Sequence, residues 1–264
     1  MATIAENISR IQTAKADIKD AIEAKGVSVP SSALIDEYAD YIDEIPTGGG
    51  QAEQDLINLI ERDIRQIVIP DGALSIGSYA FSGCRYLTSV TIPNTVTSIG
   101  TGAFQNCNIL TSLTLPSTLN SIRMSAFINT GFTSIGSVGS GASLELPNAI
   151  TNISDNTFER CLSLTSVNIP DSVTSIGNSA FFQCTSLTSA TIGSGVTTIG
   201  TSAFSGCSNM TTITIKATTP PTLDSGVFNN TNNCPIYVPA ESVETYKAAS
   251  GWSNYADRIQ AITE

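Results

Sequence analysis

The sequence contains no histidine. That removes Ser-His-Asp and Cys-His nucleophilic arrangements and every histidine-ligated metal site. Bases are scarce, with 12 Lys and Arg against 23 Asp and Glu, for a net charge of −11. No basic patch exists to neutralise phosphates, so nucleic-acid binding is not expected, and an anionic membrane surface repels the chain. No run approaches the roughly 18 uninterrupted apolar residues of a membrane span, which argues against direct membrane insertion. The opening Met1-Ala2-Thr3-Ile4-Ala5-Glu6 lacks the basic flank and apolar run of a secretory signal. The protein then stays inside, leaves by lysis or within a particle, or has lost a signal. The six cysteines form no C-x-x-C pair, which removes zinc-ribbon and thioredoxin-like motifs. The stretch Gly136-Ser137-Val138-Gly139-Ser140-Gly141 has neither the G-x-x-x-x-G-K pattern nor a nearby base, so it reads as a loop and not as a phosphate cradle. No cofactor is implied.

What is present is a period. Phe81, Phe104 and Phe127 are 23 apart; after a step of 31, Phe158, Phe181 and Phe204 resume the spacing, and Phe228 follows at 24. Ala precedes five of these phenylalanines, and Cys84, Cys107, Cys161, Cys184 and Cys207 each lie three residues after one. A fixed period of this length is the signature of a solenoid, whose units bury their apolar faces only against their neighbours. Within one unit, Leu87, Val90 and Ile92 are spaced as a strand with one face inward, and Pro93 ends it. Val96 and Ile99 turn inward on the return side, and Ala103 leaves room for Phe104. About seven such turns, mainly β with short helical turns, would stack at about 4.8 Å each. Eight extra residues between Phe127 and Phe158, around Gly136–Gly141, are expected as a surface bulge, and Thr130 stands where a cysteine belongs. The cysteine column reads as a ladder of buried free thiols, since five equivalent positions cannot all pair; Cys234 lies off it and is open to exposure.

The repeats occupy 66–239 and carry few charges, 6 acids and 4 bases. Before them, 1–46 is expected to be helical. Ile4, Ile8, Ile11, Ala14, Ile18 and Ile22 form one stripe. It serves either as an oligomerising stem through residues 4–22 or as one half of a hairpin with a second helix to about Glu44. Residues 47–65 form a Gly-rich linker and lead-in helix, and 240–264 a C-terminal cap. The acids Asp36, Glu37, Asp40, Asp43 and Glu44 read as a solvated helix face. Asp155 and Glu159 lack the surroundings of a glycosidase carboxylate pair.

The unit L-T-S-V-T-I-P…V-T-S-I-G-x-x-A-F-x-x-C resembles the BspA-type (Treponema-type) leucine-rich repeat over about 66–239. The segment from Ile236-Tyr237-Val238-Pro239 to Trp252 is similar to the closing segments of such arrays. The resemblance implies bacterial cell-surface or secreted proteins that bind matrix proteins, host cells or other bacteria, without enzyme activity. Residues 4–27 resemble N-terminal segments of phage tail and fibre-like proteins of gut bacteria, which implies a virion component.

The expected partner is therefore a protein or glycan on a cell surface, met by the outward strand positions. These recur as Thr88, Ser89 and Thr91; Thr111, Ser112 and Thr114; Thr165, Ser166 and Asn168; Thr188, Ser189 and Thr191; and Thr211, Thr212 and Thr214. Uniform hydroxyl rows also follow from β propensity and solubility alone. The departures from uniformity, Tyr79, Arg85, Tyr86, Arg123 and Phe182, are the better candidates for specificity. A rigid spacer in a phage fibre or decoration protein is the alternative.

Overall fold

The structure, a computed structural model, describes residues 65–132, 134, 135 and 143–263. The helical stripe, the linker and the acidic set of the first 64 residues lie outside that range. Within it the chain winds as a coil of short strands. Most repeats contribute one strand to a ten-stranded parallel sheet and, after a turn at proline or glycine, a two-residue strand to a return sheet.

The front strands pair in register at the repeat period. Strand β1 (Gln66–Val68) pairs with β3 (Ser89–Thr91), and β3 with β5 (Ser112–Leu113). Strand β8 (Ser143–Glu145) pairs with β10 (Ser166–Ile169), β10 with β12 (Ser189–Ile192), and β12 with β14 (Thr212–Ile215). Alternation puts Val90, Val167, Ala190 and Ile213 inside and leaves Thr or Asn between them outside. The stack closes with β16 (Ile236–Val238) and β17 (Ile259–Ala261).

The core is a set of columns. Phe81, Phe104, Phe127, Phe158, Phe181, Phe204 and Phe228 stack with centroids 5.1–5.9 Å apart and planes within 8–22°. The offset stacking of like rings adds to their burial. The chain reverses tightly around each ring. The residues two before and two after every phenylalanine have positive φ, for example Ser179 (52°) and Gln183 (56°) about Phe181. Glycine fills the first of these positions at Gly102, where the ring of Tyr79 lies 2.6 Å from where a Cβ would be.

The insertion differs from the expected bulge. Strand β7 (Ser134–Ile135) pairs with β5, and Ile135 then pairs with Leu144 of β8, nine residues on. The extra residues therefore add a whole strand to the front sheet. Meanwhile Thr130 to Phe132 spans one residue fewer than Cys107 to Leu110. One residue lost and nine gained give the net eight seen in the Phe spacing. The back does not follow. The return strands form a three-stranded sheet, β2 (Ser75–Ile76), β4 (Ser98–Ile99) and β6 (Ser121–Ile122). A separate four-stranded sheet holds β9 (Asn152–Ile153), β11 (Ser175–Ile176), β13 (Thr198–Ile199) and β15 (Thr222–Leu223). The aromatic column runs unbroken across the gap, with Phe127 and Phe158 at 5.6 Å and Asn129 N–H donating to the Glu159 carbonyl at 2.9 Å. One extra strand on one side only wedges the front open by about one strand spacing, ~4.8 Å. The fully buried ring of Phe132, edge-on to Phe127 at 5.4 Å, occupies the corner that Leu110 and Leu164 fill in neighbouring turns.

The far end of the stack is covered by the C-terminal residues. Helix α1 (Val243–Ala248) and a 3-10 turn at Trp252–Arg258 fold over Phe228. Buried Trp252 donates its Nε1–H to the Pro221 carbonyl at 2.7 Å, and the Tyr246 hydroxyl donates to Ala217 at 2.8 Å. Both large rings thus enter the core with their polar atoms satisfied. None of the described helices is long and apolar enough to cross a membrane.

Candidate functional site

The expected surface rows exist as geometry. Ser89 pairs with Gln66 and Ser112; Ser166 lies between Ser143 and Ser189, and Ser189 pairs with Thr212. A second row runs Glu145, Asn168, Thr191, Thr214 and Tyr237. Glu145 and Tyr237 complete a row that the sequence reading of threonines alone left unfinished.

The hydroxyls are less available than their exposure suggests. Thr88 Oγ1 donates to the Arg65 carbonyl, Thr188 Oγ1 to Thr165, and Thr211 Oγ1 to Thr188, each at 2.9 Å. Thr111 and Thr165 also have partners. The return side repeats the device, with Thr97 Oγ1 donating to Leu74 and Thr197 Oγ1 to Thr174. Each such hydroxyl hands its only proton to the preceding turn, which stiffens the stack and leaves only acceptor capacity facing outward. Thr88, Thr188 and Thr211 are thus struts between turns, and a ligand reaching their hydroxyls meets acceptors.

The same economy holds inside. Cys107 Sγ donates to the Phe81 carbonyl at 3.0 Å, Cys184 to Phe158 at 3.1 Å and Cys207 to Phe181 at 3.2 Å. Thr130 and Thr231, in the same column, donate instead to Phe127 and Phe228 of their own turns. All six cysteines are free thiols. Burial pushes the Cys161 and Cys207 thiols up to about 12, so they are inert and neutral. Cys234, which was open to exposure on sequence grounds, is buried beneath Arg258, whose Nε donates to its carbonyl.

The five irregular residues are not brought together as one patch. Tyr79 is exposed beside the aromatic column, lying on Gly102. Arg123 is exposed just past return strand β6. Phe182 is half-buried next to Phe181, and Tyr86 is half-buried at the cysteine corner with exposed Arg85.

Of these, Arg85 lines a groove. It is an open trough of about 700 Å³ at the cysteine corner, reaching from Gly83 and Arg85 across Asn106 and Asn108 to Arg160, Leu162 and Ser163. Its floor is Thr130-Gly131, where the turn is one residue short. A Cβ on Gly131 would lie 2.2 Å from the Asn108 carbonyl oxygen, so only glycine lets the two turns close there. The groove forms because the continuous aromatic column and the widened front sheet diverge at this corner. Arg160, Asn108 and Leu162 went unnoticed in the sequence, because no motif marks a residue whose role comes from a gap in its neighbour.

The sequence model of the BspA type leucine rich repeat region matches residues 60–139 and 137–249, in six copies. The chain belongs to the BspA-type leucine-rich repeat family. Among solved structures, this BspA-type chain is similar to the leucine rich repeat protein of T. pallidum, at 29% identity and a TM-score of 0.56, over 65% of this chain and 78% of that one. It is also similar to a leucine rich cell surface protein of Faecalibacterium prausnitzii, at 25% identity and a TM-score of 0.42, over 75% of this chain and 60% of that one. No curated protein matches the chain. The likeness of residues 4–27 to phage tail proteins falls outside both the described residues and the matched region.

Proposed function

We propose that this BspA-type protein is a non-enzymatic adhesion or recognition protein whose solenoid displays a contact surface for a protein or glycan on a cell surface. The observation that carries the reading is the contrast in the exterior. Hydroxyl struts lock most of it into a uniform scaffold, and the regularity breaks at one corner, where cationic, amide and apolar side chains stand exposed together. Leucine-rich repeat proteins of this kind are surface or adhesion-like. Their chemistry lies in display, and here the buried thiols are neutral and hydrogen-bonded and so unsuited to nucleophilic work.

The first 46 residues supply attachment or self-association in this proposal, through the stripe at 4–22. Light scattering on the full chain and on a version lacking residues 1–46 tests it: an oligomer that becomes a monomer supports a stem, and two monomers end that idea. Where the protein acts is tested by immunogold electron microscopy of producing cultures. Gold on cell envelopes supports the adhesin. Gold on phage particles would instead make the solenoid a fibre or decoration spacer, the reading that the likeness of residues 4–27 favours.

A further inference from the structure

We infer that the corner groove is a binding site for an acidic glycan, a chain bearing carboxylate or sulfate groups. The inference rests on the recognition reading above and names the site and ligand class within it.

Charge is the first argument. The repeats hold only four bases, Arg85, Arg123, Arg160 and Lys216. Two of them line this groove, on a chain of net charge −11. Arg85 is exposed and makes no hydrogen bond or ion pair with any described residue. The Arg160 guanidinium is held by one bond, Nε to Gln183 Oε1 at 2.8 Å, which orients it and leaves both Nη groups free. Free, oriented guanidinium forks match carboxylate and sulfate oxygens. Arg85 and Arg160 belong to the first and fourth turns of the aromatic column. At about 4.8 Å per turn they stand roughly 14 Å apart along the stack, too far to share one anion and suited to successive anionic groups on an extended chain.

The floor between them is the second argument. Asn129 Nδ2 donates to Asn106 Oδ1 at 2.9 Å. That leaves an amide donor on Asn106 and an amide acceptor on Asn129, with Asn108 exposed beside them. Side chains that both donate and accept match sugar hydroxyls, which do the same. Exposed Leu162 offers apolar contact to the C–H face of a sugar ring.

An acidic peptide fits less well. A peptide seated by strand addition needs unpaired backbone, and here the backbone N–H groups are used: Gly83 donates to Gln105, Asn106 to Ile128 and Asn129 to Glu159.

The test is binding of the full chain, by calorimetry at low salt, to polygalacturonate, heparin, neutral dextran and poly-glutamate. The variants are Arg85→Ala with Arg160→Asn, and separately Lys216→Ala. Asparagine is safe at 160, because Asn106, Asn129 and Asn230 hold the same left-handed backbone position in other turns. Lys216→Ala removes an exposed charge outside the groove. Expected is binding to polygalacturonate or heparin, or both, that weakens with salt, falls on the order of tenfold in the double variant, and stays within about twofold in Lys216→Ala. Whichever polymer binds identifies carboxylate or sulfate as the group recognised. Equal losses in both variants, an unaltered double variant, binding only to dextran, or groove-dependent binding to poly-glutamate would each overturn the inference. Should none of the four polymers bind while the protein still adheres to cells, the groove assignment fails and the recognition reading stands. Failure of adhesion as well removes both.

Discussion

Each phenylalanine of the column sits between two residues in left-handed backbone, and that conformation is uneven in cost. Asparagine and glycine adopt it readily, whereas serine, arginine and glutamine are held there against an intrinsic penalty of about 1–2 kcal/mol. Ser179 (φ 52°) is such a residue. Ser179→Gly is expected to stabilise the fold by about 0.5–1 kcal/mol, the relieved penalty less the extra entropy of the unfolded chain. A urea midpoint that falls would contradict this. Gly102 shows the opposite case, since Gly102→Ala drives a methyl into the Tyr79 ring and should be destabilising. The thiols make a prediction against pH. Burial raises Cys161 and Cys207 from the ordinary 9.0 to about 12. Below about pH 9 the thiols hold their protons in both states, and their contribution is complete. Between about 9 and about 12 the unfolded thiols ionise while the folded ones stay neutral, and stability drains away, by up to about 1.4 kcal/mol per pH unit per thiol. Cys161→Thr with Cys207→Thr, using the residue already present in the column at Thr130 and Thr231, should flatten the dependence of the urea midpoint between pH 8 and pH 10.5. An unchanged slope would mean that other groups set the alkaline limit.

At the scale of elements, the sequence made the columns legible because each repeats the same residue at the same phase. Period, inward positions and thiol ladder could all be read before any coordinates. The inserted strand could not. A step of 31 between phenylalanines reports only the net of a one-residue deletion and a nine-residue addition, and those act at different corners of the turn. The clue was Phe132 in a corner where every neighbouring turn places leucine or methionine. A larger residue there means more space to fill. Phe132→Leu should therefore cost about 1–2 kcal/mol by leaving part of the wedge empty. Leu164→Phe, one turn on where no wedge exists, should cost about 1–3 kcal/mol by overpacking. Phe181→Ala, in the middle of the unbroken column, is expected at about 3–5 kcal/mol. Equilibrium urea denaturation of the three variants gives the order. If Phe132→Leu stabilised the protein, the wedge would not be real. The groove was invisible for a related reason: its residues are ordinary members of their columns, and only the short turn at Gly131 exposes them to one another.

At the scale of the whole molecule, the ends decide solubility. A parallel stack exposes unpaired backbone at its last strand. Here α1 and the Trp252 turn cover the aromatic column, and at this end the front sheet closes, among the described residues, with the three-residue strand β17. A chain stopped after Pro239 would bare β16 and Phe228 together. It should associate with rising concentration in light scattering, and a clean monomer would show that the cap is dispensable.

The front sheet's strands lie across the long axis of the stack, and this governs what happens when a tethered molecule is tugged. Tension applied end to end meets the interstrand bonds one turn at a time, in the manner of a zipper. The divided return sheet offers the first place to give, since return strands β6 and β9 are not paired with each other. Each 23-residue turn that lets go releases roughly 75 Å of slack. If the protein tethers a cell as proposed, a cell pulled by a current would be played out on a lengthening line before the line parted.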